Sequence, residues 1–269
     1  MKTFNTGETE QELREKHNPD GSDLRKAQER MLQMLTYLDG VCQQLGISYR
    51  LQAGSVLGSV RHHGFIPWDD DVDVALTRRD WKRLSKYLLE HPHPQFVLQC
   101  HATDPGYYGF WHVLRDLKSE YIQDSTLHNA RKYKGLQIDI FCFEKGQIPA
   151  LARITNKVSS INNKYFIGRH SIMASSIYYF QKKLLHPVFR IFDFLFGNKT
   201  LYMHTYGSGL FYQIPEHVLL PYKQIPFENH LFWGPAQPER FCELRYGNYM
   251  DLPATDQRNK HQAQYRIWE

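Results

Sequence analysis

The run Ala53-Gly54-Ser55-Val56-Leu57-Gly58-Ser59-Val60-Arg61-His62-His63-Gly64-Phe65-Ile66-Pro67-Trp68-Asp69-Asp70-Asp71-Val72-Asp73-Val74 decides how this chain is read. It joins a Gly-Ser turn, a short basic segment and four carboxylates within five residues. Asp71 and Asp73 alternate with Val72 and Val74, and on a strand residues two apart share a face. Both valines then enter a core while both carboxylates project into a cleft. Like charges so placed repel, and each raises the other's pKa unless a cation lies between them. Hard oxygen ligands suit Mg²⁺ or Mn²⁺, held by a few carboxylates together with substrate phosphates. A Gly-Ser turn ahead of such a strand offers backbone N–H groups and a hydroxyl to a phosphate. The local chemistry points to metal-assisted transfer at phosphorus. Four acids alone read as a solvated turn, and an EF-hand loop fails because its Gly and distal Glu are missing at the required spacing. What favours the metal reading is the order: amphipathic helix, strand, Gly-Ser, basic segment, then acid–apolar–acid–apolar.

Outward from this run, Leu24, Met31, Leu35, Leu38, Cys42 and Leu45 keep helical spacing, so a helix is predicted over 22–45, capped by Ser22 and ended by Gly46. Alternation of Ile47, Tyr49, Leu51 and Ala53 predicts a strand that delivers the chain to Gly54. A short helix follows over 56–62, a turn fixed by Pro67, a strand over 72–76 and a helix over 79–89. Further strands are predicted over 96–100, 111–114, 121–124 and 136–141. In the last of these, Asp139 stands between Ile138 and Ile140, repeating the acid–apolar context of the first pair. By itself that acid reads equally well as a strand-edge carboxylate bonded to backbone. Arg131, Lys132 and Lys134 read as a solvated basic loop or as a flap over phosphates, and Arg245 and His261 are weaker candidates for reaching a substrate. Residues 1–21 are expected to be a loose leader and 22–269 one domain, with 150–211 its least resolved, helical part. There Val188, Phe189, Phe192 and Leu195 share a helical face behind Lys182 and Lys183. Such a face either enters the core or rests on a membrane.

The 269 residues are 42% apolar and support a real core. A net charge of +5 suits an anionic substrate or membrane surface and is too weak to indicate nucleic acid. Cys42, Cys100, Cys142 and Cys242 form no Cys-x-x-Cys pair, which argues against structural zinc and for reduced thiols in a cytoplasmic protein. The polar N-terminus has no apolar signal core, and no apolar run reaches the length of a membrane span. The expected location is cytoplasmic, with room for peripheral contact at the inner face of the membrane.

The opening run resembles the LicD/fukutin family, whose hallmark is Gly-[Ser/Thr]-Leu-Leu-Gly-x-x-Arg-His-x-Gly-Phe-Ile-Pro-Trp-Asp-Asp-Asp-x-Asp. Gly54, Ser55, Leu57, Gly58, Arg61, His62, Gly64 to Trp68, Asp69 to Asp71 and Asp73 match, and Val56 replaces the common Leu. The resemblance continues in Gly135-Leu136-Gln137-Ile138-Asp139-Ile140-Phe141, in Phe227-Glu228 and in Arg245-Tyr246-Gly247-Asn248-Tyr249-Met250-Asp251-Leu252-Pro253. It implies an α/β, nucleotidyltransferase-like (polymerase-β-type) fold with a mixed sheet, flanking helices and a helical C-terminal half. It also implies transfer of a substituted phosphate, first of all phosphocholine from CDP-choline, to a hydroxyl of a cell-surface glycan or lipid-linked glycan; eukaryotic relatives transfer ribitol phosphate. On this plan Asp71, Asp73 and Asp139 hold Mg²⁺ or Mn²⁺, and Asp69 or Asp70 lies just outside them or acts as general base. Gly54, Ser55 and Arg61 hold phosphate, and His62 and Trp68 complete the donor-binding set. For Arg61 a salt bridge to Asp69 or Asp70 is the competing role, and for Trp68 a wedge under the acidic turn. The family's Pro-Leu-Asp after Ile-Asp-Ile-Phe is here Cys142-Phe143-Glu144, a departure among the substrate contacts. The rival readings are a nucleotidyltransferase with an NTP donor and a non-catalytic glycan-binding protein on the same fold.

Overall fold

In the computed structural model, which describes residues 3–123, 125–258 and 264–268, the chain opens with α1 (Glu10–His17) and α2 (Asp23–Leu45). It runs through β1 (Tyr49–Leu51) into α3 (Ala53–His62), then β2 (Asp73–Thr77), α4 (Arg78–Glu90), β3 (Phe96–Gln99), β4 (His112–Asp116) and β5 (Ser119–Ile122). After α5 (Thr126–Asn129) and the long β6 (Gln137–Lys145) come α6 (Pro149–Tyr165), α7 (Ser171–Phe180), a π-helical turn (Gln181–Leu185) and α8 (His186–Phe196). The remainder is β7 (Leu201–His204), β8 (Ile214–Pro215), α9 (Glu216–Leu219), β9 (Lys223–Phe227), β10 (His230–Gly234), α10 (Pro238–Tyr246) and β11 (Gln264–Ile267). Asp124 and His261 lie outside the described residues.

Local signals account for the ends of α2. Ser22 accepts from the Arg25 N–H, and Gly46 closes the helix in the left-handed region at φ 57. Met31, Met34, Leu35 and Leu38 are fully buried along one face, as the 3.6-residue spacing requires. Seven strands form one mixed sheet in the order β1-β2-β6-β4-β3, with β7 paired to the far end of β6 and β8 to β7. Only β2 and β6 run parallel. Val74, Leu76, Ile138 and Ile140 share one face and are buried. α4 packs on that face, where the Trp81 indole N–H donates to the Ile140 carbonyl at 3.0 Å and stacks on His112. Asp73 and Asp139 therefore stand on the opposite face.

Residues 3–17 are not a loose leader. Thr9 and Glu12 make a reciprocal capping box at the start of α1. Leu13 is fully buried with Phe4 and Leu252, and Arg258 pairs with Glu8 at 2.7 Å. The partners come from the far end of the chain, so local polarity gave no sign of them. The C-terminal half is not helical throughout: after α6, α7 and α8 the chain adds β7 through β11, interleaved with the short α9 and α10. Phe189 and Phe192 also part company, because Phe189 turns inward against Tyr206 at 5.8 Å while Phe192 stays exposed.

Candidate active site

The site begins where β1 hands over to α3. Ala53 sits at φ 44, a left-handed conformation that costs a non-glycine residue about 1 kcal/mol or more. This sharp turn aims the first turn of α3 back over the acidic loop. Gly54 touches that loop so closely that a Cβ would lie 3.2 Å from the Asp69 Oδ2. Ser55 is buried, and its hydroxyl accepts from the Asp73 N–H at 2.9 Å, which pins the start of β2 to the start of α3. The glycines further on have packing reasons. A Cβ on Gly58 would strike the Gly64 carbonyl, and one on Gly64 would strike the Glu228 side chain. Glu228 in turn accepts from the Phe65 N–H at 3.1 Å and pairs with Arg25 at 2.9 Å. Phe227-Glu228 thus holds the Gly64-Phe65 corner in place.

The parallel pairing of β2 and β6 puts Asp73 and Asp139 side by side as register partners, with the Asp139 N–H donating to the Val72 carbonyl at 2.9 Å. Asp69, Asp71, Asp73 and Asp139 are all half-buried. Burial first, then the charges of Asp71 and Asp70, push the Asp69 carboxyl well above the usual carboxylate range. Burial and the charges of Asp71, Asp139 and Asp69 do the same to Asp73. Burial pushes Asp139 up to about 6, with Arg115, the Trp111 indole and Arg131 pulling the other way. Asp139 Oδ1 is buried without a well-formed hydrogen bond. The four side chains thus form one electrostatically linked acidic group. Among the described residues, however, no set of three or more His, Cys, Asp or Glu side chains is already arranged as a metal-ligand cluster.

Asp70 leaves this group. It is buried and accepts from the Tyr265 hydroxyl at 2.6 Å, so it ties the acidic loop to the β11–β5 ribbon. Arg61 and His62 also point elsewhere. Arg61 is buried; it donates to the Tyr249 carbonyl at 3.0 Å, the Asp251 carbonyl at 3.3 Å and His62 Nε2 at 2.8 Å. His62 Nδ1 meets Glu10 Oε2 at 2.6 Å, and burial keeps the imidazole below its ordinary pKa. Two stretches of the family resemblance therefore meet at Arg61 for a structural reason, and in place of the competing salt bridge to Asp69 or Asp70 its guanidinium takes backbone carbonyls. Trp68 is the wedge. It packs against Leu13 and Leu252, edge-on to His17 and His62, with Arg258 5.1 Å from its ring.

Arg115 and Arg131 face Asp139 instead. Arg131 lies 5.4 Å from the Tyr107 ring and adds its charge to the field on Asp139. Its loop is anchored, because the Lys132 N–H donates to Asp104 at 2.9 Å and the Tyr121 N–H to the Lys134 carbonyl at 2.8 Å. Arg245 stacks on Tyr212 at 4.4 Å, and its Nε is buried without a partner. Tyr212 and Tyr246 both feel the Asp73 charge. Sequence offers Arg131 and Arg245 as candidates without separating either from an ordinary solvated cation; a loop brings Arg131 into the field on Asp139, and α10 sets Arg245 on Tyr212.

Comparison with known proteins adds to this geometry. A family model described as "LicD/FKTN/FKRP, nucleotidyltransferase domain" matches residues 46–189, just over half of the chain. The chain is 26% identical over 268 residues to the lipopolysaccharide cholinephosphotransferase LicD of Haemophilus influenzae, covering 90% of this chain and 96% of that protein. It is 46% identical over 44 residues to the human ribitol 5-phosphate transferase FKRP, a match covering 16% of this chain and 9% of that protein. An uncharacterised Rickettsia typhi protein is 27% identical over 111 residues, 35% of this chain and 36% of its own length.

Proposed function

Because the chain belongs to the LicD/fukutin family and is a phosphotransferase, we propose that it moves a phospho-alcohol, phosphocholine first of all, from a CDP-activated donor to a glycan hydroxyl. The observation that carries this reading is the register pairing of Asp73 with Asp139 inside an acidic group in which burial and the charges of Asp71, Asp139 and Asp69 raise the pKa of Asp73. A protein pays for such repulsion at a site that takes a cation. The orphaned Asp139 Oδ1 fits an oxygen-seeking ion. Asp73 and Asp139, joined by Asp71, would hold Mg²⁺ or Mn²⁺, which when bound neutralises charge developing on the phosphates.

The chain's own groups have separable tasks. Arg131 and Arg245 supply the planar cations that grip the diphosphate. Gly54 lets the first turn of α3 approach the acidic loop without a side chain between them. Asp69, held well above the usual carboxylate range by burial and by Asp71, accepts the proton of the acceptor hydroxyl. That oxygen forms its bond to the phosphorus bearing the alcohol, the bond from this phosphorus to CMP breaks, and CMP leaves with the electron pair. The nucleotidyltransferase-like reading of the fold belongs to this proposal: a mixed sheet carries the acids at the start of two parallel strands, with α4 behind it.

Incubation of the purified protein with Mg²⁺, an acceptor glycan and either CDP-choline, CDP-ribitol or CTP tests the reading. CMP release from a CDP-alcohol supports it. Pyrophosphate release from CTP, or no turnover of any donor, overturns it.

A further inference from the structure

The π-helical turn joins α7 to α8 without a break, so residues 171–196 form one rod, about 39 Å long at 1.5 Å per residue. Its exposed side is strongly apolar. The side against the domain buries Ala174 and Tyr178 together with the polar Gln181, His186 and Asp193. Gln181 donates to the Thr155 carbonyl at 2.9 Å, and Asp193 accepts from the Ile148 N–H at 3.0 Å and the Tyr206 hydroxyl at 2.5 Å. The side away from the domain carries Ile172, Phe180, Leu184, Val188, Ile191 and Leu195, spaced as one helical stripe, all exposed. Ile172 is 85% exposed, and Phe194 and Phe196 continue the apolar surface at 75% and 72%. A helix bathed in water turns its polar side outward; a contiguous exposed apolar face of this extent marks a contact surface.

The charges beside the stripe identify what covers it. Residues 149–200 hold eight Lys and Arg, Lys157, Lys182 and Lys183 among them, against the single acid Asp193, which is buried. That local excess is larger than the net +5 of the whole chain. A second copy of the chain would set these charges against their own kind, whereas an anionic headgroup layer neutralises them. No helix among the described residues is long and apolar enough to cross a membrane, and a one-sided stripe flanked by lysines lies in the plane of the interface. We propose that residues 171–196 dock the protein on the surface of an anionic phospholipid bilayer, with the Ile172-to-Leu195 stripe in the acyl boundary and Lys182 and Lys183 among the headgroups.

Co-sedimentation of the full chain with phosphatidylcholine vesicles, with and without about one third phosphatidylglycerol, tests this at about 50 mM and about 500 mM salt. Binding is expected only to the anionic vesicles and falls at high salt. The double substitution Ile191→Glu, Leu195→Glu alters only outward side chains, so melting temperature holds while vesicle binding drops at least about tenfold. Lys157→Glu with Lys183→Glu weakens binding while leaving the stripe in place. Absence of binding at low salt overturns the proposal, as does unchanged binding by the Glu variant. So does a dimer in solution that the same variant dissociates without any vesicle binding. The assay contains neither donor nor acceptor, so its failure is distinct from failure of the phosphotransfer reading.

Discussion

The substitution Asp139→Asn separates a metal-holding carboxylate from a structural one. In the fold Asp139 keeps its proton to about pH 6, against 3.8 for the free side chain. At about 1.4 kcal/mol per pH unit, ionising it at pH 8 without a cation costs the folded state at most about 3 kcal/mol. The sign follows from the raised value. Below about pH 4 both folded and unfolded chains are protonated and the cost is absent; it grows as pH rises from about 4 to 6 and is constant above. Metal-free wild-type protein should therefore lose stability across that window. Burial sets this cost against the pull of Arg115, the Trp111 indole and Arg131, and Asn keeps a buried polar group while losing those attractions, so Asn at this position returns only part of the ceiling, about 1–2 kcal/mol at pH 8. For a chain of this size that is a rise of about 2–4 °C in Tm. Turnover should fall at least about a hundredfold, since a bound metal supplies several kcal/mol at the transition state. Melting curves from pH 4 to 8 in chelator, paired with CMP-release assays, read both quantities. A variant that melts lower than wild type at pH 8 and retains near-normal turnover refutes the reasoning and makes Asp139 a structural acid.

Four further outcomes are expected. Turnover should vanish in EDTA and return with Mg²⁺ or Mn²⁺; full activity in metal-free buffer would remove the proposed role of the carboxylates. Arg131→Ala and Arg245→Ala should each lower kcat/KM for the CDP-alcohol by about ten- to a hundredfold with Tm nearly unchanged, and normal kinetics in both would place the diphosphate elsewhere. Arg61→Ala should act on the fold, costing about 2–4 kcal/mol by stranding the Tyr249 and Asp251 carbonyls, which denaturant melts would show; an unchanged Tm with lost turnover would return Arg61 to the donor site. Gly58→Ala should lower stability by about 1–3 kcal/mol because its methyl meets the Gly64 carbonyl, a loss that thermal melts would detect.

Period and capping made much of the framework legible without coordinates. The spacing of Met31, Leu35 and Leu38 and the Ser22 and Gly46 ends define α2, because a helix buries one face and its ends need partners for their backbone groups. The alternation of Val72, Asp73 and Val74, and of Ile138, Asp139 and Ile140, already divides core from cleft, since a strand has only two faces. What no local pattern carries is which strands are neighbours. That Asp73 pairs with Asp139, more than sixty residues away, is fixed by the order of the sheet. The same holds for the cations. Arg61 lies within the signature run yet directs its guanidinium to carbonyls of Tyr249 and Asp251, while Arg131, one of several candidate cations in its segment, is brought into the field on Asp139 by its loop, and Arg245 is set on Tyr212 by α10. The N-terminal residues looked loose because their partners, Leu252 and Arg258, come from the other end of the chain. Sequence by itself determined the residue types and the faces they occupy, since those follow from bonds and periods a few residues long. Tertiary structure alone decided which charges meet, because a charge acts through space and chain folding sets those distances.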